Sequence, residues 1–149
     1  MRSTDMGSLR KYCDENKSGI FDTGYLLEHT FKFINKDSFR KFVSRLVAEE
    51  VISPISKGVY YIGKSDECNL NEAVIKHYAS YHKGMIVGLS FLYKLKLIGG
   101  KPDSTEIYST LTVSNKKIGS CSVKVFYSIF TPVTRVFFES LDLIFLLIL

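Results

Sequence analysis

The stretch Phe39–Gly63, FRKFVSRLVAEEVISPISKGVYYIG, changes its period partway along. Up to Val47 the apolar residues keep a helical spacing. Phe39, Phe42, Val43, Leu46 and Val47 stand at i, i+3, i+4, i+7 and i+8, one stripe on one helix face. At about 100° per residue, the opposite face carries Lys41 and Ser44, flanked by Ser38 and Arg45. From Val51 the pattern alternates around a Lys57-Gly58 turn, with Ile52, Pro54 and Ser56 leading in and Val59, Tyr60, Tyr61 and Ile62 returning. Pro54 has no N–H to donate to a ladder, so its strand belongs at an edge or in a two-stranded hairpin.

Working outward, MGSLRKYCDENKSG (residues 6–19) reads as a first helix, capped by Ser8 and ended by Gly19. IFDTGYLLEHTF (20–31) reads as a short second helix capped by Asp22 or Thr23, with Tyr25, Leu26 and Leu27 inward. The basic helix is then the third, capped by Asn35 or Asp37. Three helices followed by a hairpin is the order of a winged helix-turn-helix, whose third helix enters the major groove while the wing reaches the neighbouring backbone.

Charge distribution agrees. The 149-residue chain has a net charge of +5. Between Lys32 and Arg45 stand Lys32, Lys36, Arg40, Lys41 and Arg45 against Asp37 alone. A basic exposed helix by itself means only solubility; combined with the helix-then-wing order it points to duplex DNA. The expected contact set is Ser38, Arg40, Lys41, Ser44, Arg45, Lys57, Gly58 and Tyr60. Lys and Arg suit phosphates or guanine edges, and the small hydroxyls permit close approach. Of the Tyr60-Tyr61 pair, alternation sends one ring to the core and the other outward.

Past the short polar run GKSDECN (63–69) a second domain is expected, giving 1–65 for the DNA-binding domain and 66–149 for a small α/β domain. LNEAVIKHYASYH (70–82) reads as a helix capped by Asn69, with a stripe of Leu70, Ala73, Val74, His77, Tyr78 and Tyr81. A brief strand at Met85–Val87 precedes a helix through Ser90–Leu95, ended by Gly99-Gly100. Residues 104–130 alternate, with turn signals at Ser114-Asn115 and Gly119, as two or three antiparallel strands. The fold class expected is therefore α+β, an N-terminal winged helix followed by an antiparallel sheet with helices.

Catalytic constellations are missing from the sequence, and no enzyme, metal site or cofactor is expected. His77 and His82 point to different helix faces, GLSFL lacks the second glycine of a nucleophile elbow, and LIGGKPDST lacks P-loop spacing. Cys13, Cys68 and Cys121 are too dispersed for a zinc site or a disulfide framework, which suits a reducing cytoplasm. The polar N-terminus lacks the apolar core of a signal peptide. VTRVFFESLDLIFLLIL (133–149) is short of the roughly 20 uncharged residues of a spanning helix and holds Arg135, Glu139 and Asp142. It reads as a helix capped by Thr134, apolar almost all round, whose outer face is expected to drive homodimerisation rather than membrane insertion.

The order of these motifs resembles the winged-helix module of AbiEi-type antitoxins, from type IV abortive-infection toxin–antitoxin systems. Ser44-Arg45-Leu46-Val47, Val51-Ile52 and Lys57-Gly58-Val59-Tyr60-Tyr61 carry the likeness, with Gly19–Phe21 resembling the lead into the second helix. GMIVGLSFLYKLKLIGGKPDSTEIYST and TPVTRVFFESLD resemble later segments of the family. Glu50 departs from the pattern by standing where a glycine usually closes the third helix, and Phe91-Leu92 replaces a small pair. The chain also stops inside an apolar helix where such proteins continue, as a truncated or frameshifted copy would. The resemblance implies a bacterial, cytoplasmic antitoxin that acts in phage defence, represses its own operon and counteracts a nucleotidyltransferase-like toxin, with no direct contact required. A stand-alone winged-helix regulator and a protein-interaction module with a merely solvated basic face are the alternative readings.

Overall fold

The computed structural model describes residues 3–64, 70–80 and 83–128. The chain separates into two compact units, Met1–Ala73 and Val74–Leu149. Their architecture is mixed α+β, with one sheet in each order given below.

The first unit runs α1 (Ser3–Glu15), β1 (Ile20–Asp22), α2 (Thr23–Tyr25, continuing as a π-helical turn over Leu26–Thr30), α3 (Lys36–Ala48), β2 (Ile52–Ser56) and β3 (Val59–Ile62). α1 begins well before Ser8, which lies inside the helix and does not cap it. Asp22 caps α2 by accepting from the Tyr25 N–H at 3.3 Å, and Asn35 caps α3. The hairpin is not two-stranded. Ile20–Asp22 adds a third strand, the order being β1-β3-β2, with both pairings antiparallel. Pro54 does sit on the edge strand, next to a register shift between Pro54 and Ser56.

Side chains alternate across this sheet. Phe21, Ile52, Tyr60 and Ile62 face the helices, where they meet Met6, Leu9 and Cys13 of α1, Leu26, Phe31 and Ile34, and Phe39, Phe42, Val43 and Leu46 of α3. Ile20, Val59 and Tyr61 point the other way and are buried too, so neither face of β3 is open to solvent. Aromatic rings join the elements: Phe21 stacks on Phe39 with centroids 6.2 Å apart, and Tyr12 sets its edge against Phe21 and Phe31.

The second unit holds most of α4 (Leu70–Tyr78), then β4 (Gly84–Val87), α5 (Gly88–Lys94), β5 (Thr105–Ser109), β6 (Lys116–Ile118), a 3₁₀ turn (Gly119–Cys121) and β7 (Val123–Tyr127). The sheet order is β4-β5-β7-β6. It is not purely antiparallel, because β5 and β7 run parallel with Ile107 opposite Val125. The chain leaves β5, forms β6 at the far edge and returns through the 3₁₀ turn, so β7 fills the slot between them in the direction of β5. Gly84 is required at its place, since a Cβ there would collide with the Tyr78 and Tyr108 carbonyl oxygens. The stripe on α4 buries Val74 and Tyr78. Cys68, Asn69, Tyr81, His82, Thr134 and the apolar C-terminal segment lie outside the described residues.

Two helices close in the same way. After α3, the Glu50 N–H donates to the Val47 carbonyl at 3.0 Å and the Val51 N–H to the Leu46 carbonyl at 2.9 Å. After α5, Lys96 donates to Tyr93 and Leu97 to Leu92. These are Schellman closures, which require a left-handed residue at their centre. Glu50 and Lys96 fill that role with φ of 60° each. Gly99-Gly100, expected to end α5, comes later than the closure.

A left-handed residue with a side chain costs about 1–2 kcal/mol, partly offset because glycine has more unfolded freedom to lose. Glu50 and Lys96 are both exposed, and among the described residues neither forms an ion pair. Glu50→Gly and Lys96→Gly are therefore each expected to raise unfolding free energy by about 0.5–1 kcal/mol in urea titrations.

Burial pushes the Cys13 thiol up to about 11 from its ordinary 9.0, with Asp14 adding to the rise and Arg10 opposing it. The fold thus holds this proton more tightly than the unfolded chain does. The resulting stability is complete below pH 9 and is lost as pH climbs toward 11. Unfolding free energy should fall by about 2 kcal/mol more across that window in the wild type than in Cys13→Ala. Tyr12, also raised by burial, leaves the variant a residual slope.

Candidate functional site

α3 is oriented by its buried stripe. Phe39, Phe42, Val43 and Leu46 are all buried, which leaves no freedom in the rotation of the helix about its axis. Its first turn is fixed by Asn35, whose Oδ1 accepts from the Asp37 N–H at 2.8 Å and the Ser38 N–H at 3.5 Å. Lys36, Arg40, Lys41, Ser44 and Arg45 are consequently exposed, and Ser38 is half-buried. At 100° per residue, Lys41 and Ser44 lie on the crest, with Arg40 and Arg45 on opposite shoulders.

Among the described residues, Lys36, Arg40, Lys41, Arg45 and Lys57 form no ion pair. Glu49 stands four residues after Arg45, where a carboxylate would normally pair with it along the helix. Arg10 of α1 takes that carboxylate instead, at 2.6 Å. The pair is more than a third exposed, so it adds at most about 1 kcal/mol of stability. Its larger effect is on the pattern of charge, because Arg45 is left facing water alone.

The hairpin turn presents Lys57, which is exposed, next to Gly58. Gly58 has φ +75, and a Cβ there would come within 3.1 Å of the Thr23 hydroxyl. Thr23 donates its backbone N–H and its hydroxyl to the Gly58 carbonyl, at 3.0 and 3.1 Å. The turn is therefore moored to the start of α2, and only glycine fits the mooring without strain. Tyr60 does not project freely. It is half-buried, on the helix side of the sheet, in a T-shaped arrangement with Phe21 whose ring centroids are 6.4 Å apart. Tyr61 is the ring on the opposite face, and it is buried.

Three further residues shape this surface and carry no obvious sequence signal: Arg10, Thr23 and Phe33. Phe33 is 64% exposed, edge-on to Phe31 in the loop before the Asn35 cap. Its only clue in the sequence is its place between Lys32 and Lys36, off the α3 stripe.

Other chemistry is sparse. Among the described residues no three His, Cys, Asp or Glu side chains cluster to hold a metal ion. Cys13 and Cys121 are buried and form no disulfide among the described residues. His29 lies against Tyr25, with ring centroids 4.4 Å apart, and His77 against the edge of Tyr78. Among the described residues no helix is long and apolar enough to cross a membrane. No family model matches the chain, and no curated protein sequence matches it.

Proposed function

We propose that the first unit is a winged helix-turn-helix and that the protein binds duplex DNA, with α3 in the major groove and the Lys57-Gly58 turn on the adjacent backbone. The observation that carries this reading is the basic face of α3, whose cations form no ion pair among the described residues, set in the element order α1-β1-α2-α3-β2-β3 with a β1-β3-β2 sheet. Lys41 and Arg45 are the candidates for base edges; Lys36, Arg40 and Lys57 are phosphate contacts. Ser38 and Ser44 let the backbone of α3 approach closely. Tyr60 supports the surface from beneath.

The biological role proposed is that of a non-enzymatic, cytoplasmic antitoxin of a type IV system, repressing its own operon and counteracting a nucleotidyltransferase-like toxin. That part rests on the motif order of Ser44–Val47, Val51-Ile52 and Lys57–Tyr61. A toxin-like reading frame directly downstream, whose growth arrest is relieved by this protein, separates it from a stand-alone regulator.

DNA binding is tested by anisotropy on upstream operon DNA across a salt series. Each phosphate contact removed should flatten the log–log salt slope by roughly 0.9. Lys57→Ala should weaken all sequences alike, whereas Lys41→Ala or Arg45→Ala should cost about 1–3 kcal/mol at one base position. Unchanged affinity in the combined Lys41→Ala, Arg45→Ala, Lys57→Ala variant at moderate salt would refute the assignment. Arg10→Ala frees Glu49 to pair with Arg45, and is expected to weaken binding several-fold at low salt without lowering the melting temperature appreciably. Affinity equal to wild type would show that Arg45 is not a contact.

A further inference from the structure

The second unit carries an open recess of about 410 Å³ beside the β6–β7 turn, lined by Asp103, Ser104, Lys117, Gly119, Ser122 and Lys124, among others. Lys117 and Lys124 are direct partners on the antiparallel β6 and β7 strands. Cross-strand partners share a face, so two lysine side chains leave the sheet next to each other, and like charges directly opposite are destabilising. Neither lysine forms an ion pair among the described residues.

The carboxylate paired with Lys124 across the sheet is turned away from it. Glu106 is the partner of Lys124 on the other side, across the parallel β5–β7 pairing. Its carboxylate instead leans over the start of α5, where an oxygen lies 2.6 Å from the position a Cβ on Gly88 would take. Glycine at residue 88, with φ +64, makes that posture possible. Lys124 is left facing Lys117.

The walls of the recess are rigid. The Ser104 carbonyl accepts from the buried Ser90 hydroxyl at 3.0 Å, and the same hydroxyl accepts from the Glu106 N–H. The Thr105 N–H donates to the Ser122 carbonyl at 2.9 Å, tying the strand before the recess to the turn behind it. Ser104 and Ser122 offer hydroxyl donors, and Gly119 leaves the mouth open.

We propose that this recess is a binding site for an oxyanion of the phosphate class, held between the Lys117 and Lys124 ammonium groups. Asp103 refines the choice. A carboxylate at the rim repels a fully ionised anion but accepts an O–H from a hydrogen phosphate or from a hydroxyl beside a phosphate ester. Sulfate, which has no O–H at neutral pH, is discriminated against. The site belongs to the second unit and is independent of the DNA reading of α3.

The test is an amide-shift titration of the full chain with inorganic phosphate at constant ionic strength and pH 7. Saturable shifts at Lys117, Gly119, Ser122 and Lys124 are expected in the millimolar range, at least tenfold weaker in Lys117→Gln/Lys124→Gln. Sulfate should bind more weakly than phosphate, and Asp103→Asn should narrow that gap. In chloride, the double variant should melt about 1–3 °C above the wild type, because the repulsion is gone. Parallel titrations with a nucleoside monophosphate and a short DNA duplex assign the source: the same amides moving with the monophosphate indicate a small ester, and with the duplex a nucleic-acid backbone. Non-saturating phosphate shifts, shifts unaltered by the double variant, or a double variant no more stable in chloride would overturn the proposal.

Discussion

The first unit depends on one aromatic contact, the stack of Phe21 on Phe39. Phe21 comes from a three-residue strand and is fully buried. It touches Tyr12 of α1, Phe39 of α3 and Tyr60 of β3, so a single ring sets the spacing of both helices from the sheet. Burying such a ring is worth about 1.5–3 kcal/mol, and each aromatic pair adds about 0.5–1.5. The functional consequence is rotational. With Phe39 held against the sheet, Phe42, Val43 and Leu46 follow it inward, and the basic residues of α3 have only solvent to face.

Charge in both units is arranged by removing counter-ions as much as by placing cations. Arg10 engages Glu49 and leaves Arg45 without its neighbour on the helix. Glu106 turns toward Gly88 and leaves Lys124 beside Lys117. Unpaired cations on a rigid frame lower the cost of ordering when an anion arrives. On the readings proposed above, the helix face meets the spaced charges of a nucleic-acid backbone, and the cross-strand lysines take one compact anion.

Four non-glycine residues take a positive φ, Ser18, Glu50, Lys96 and Ser122, and two of them close α3 and α5. Glu50 and Lys96 take the left-handed conformation that glycine adopts more readily. Both side chains are exposed, and neither forms an ion pair among the described residues. The structure supplies no contact that explains why glycine is not used there. The hydrogen bonds of the two closures hold the conformation in place, and Val51, after Glu50, packs against the core of the first unit.

The sequence by itself determined the local elements. The 3.6-residue stripe from Phe39 to Val47 announced α3 and its exposed bases, because that face is set by period alone. Asp22 or Thr23 and Asn35 or Asp37 announced caps, Lys57-Gly58 announced a turn, and Pro54 announced an edge strand or a two-stranded hairpin, each through a property of one or two residues. Tertiary structure decided what required distant partners. Ile20–Asp22 is too short to declare itself a strand and exists only because β3 pairs with it. Tyr60 could not be assigned to a face until that third strand fixed which side of β3 meets the helices. The parallel β5–β7 pairing has no local signature, since strand direction depends on where the chain returns. The lysine pair Lys117–Lys124 and the Arg10–Glu49 pair were equally hidden. Their meaning lies in which side chains the register and the packing bring within reach, and periodicity carries no information about that.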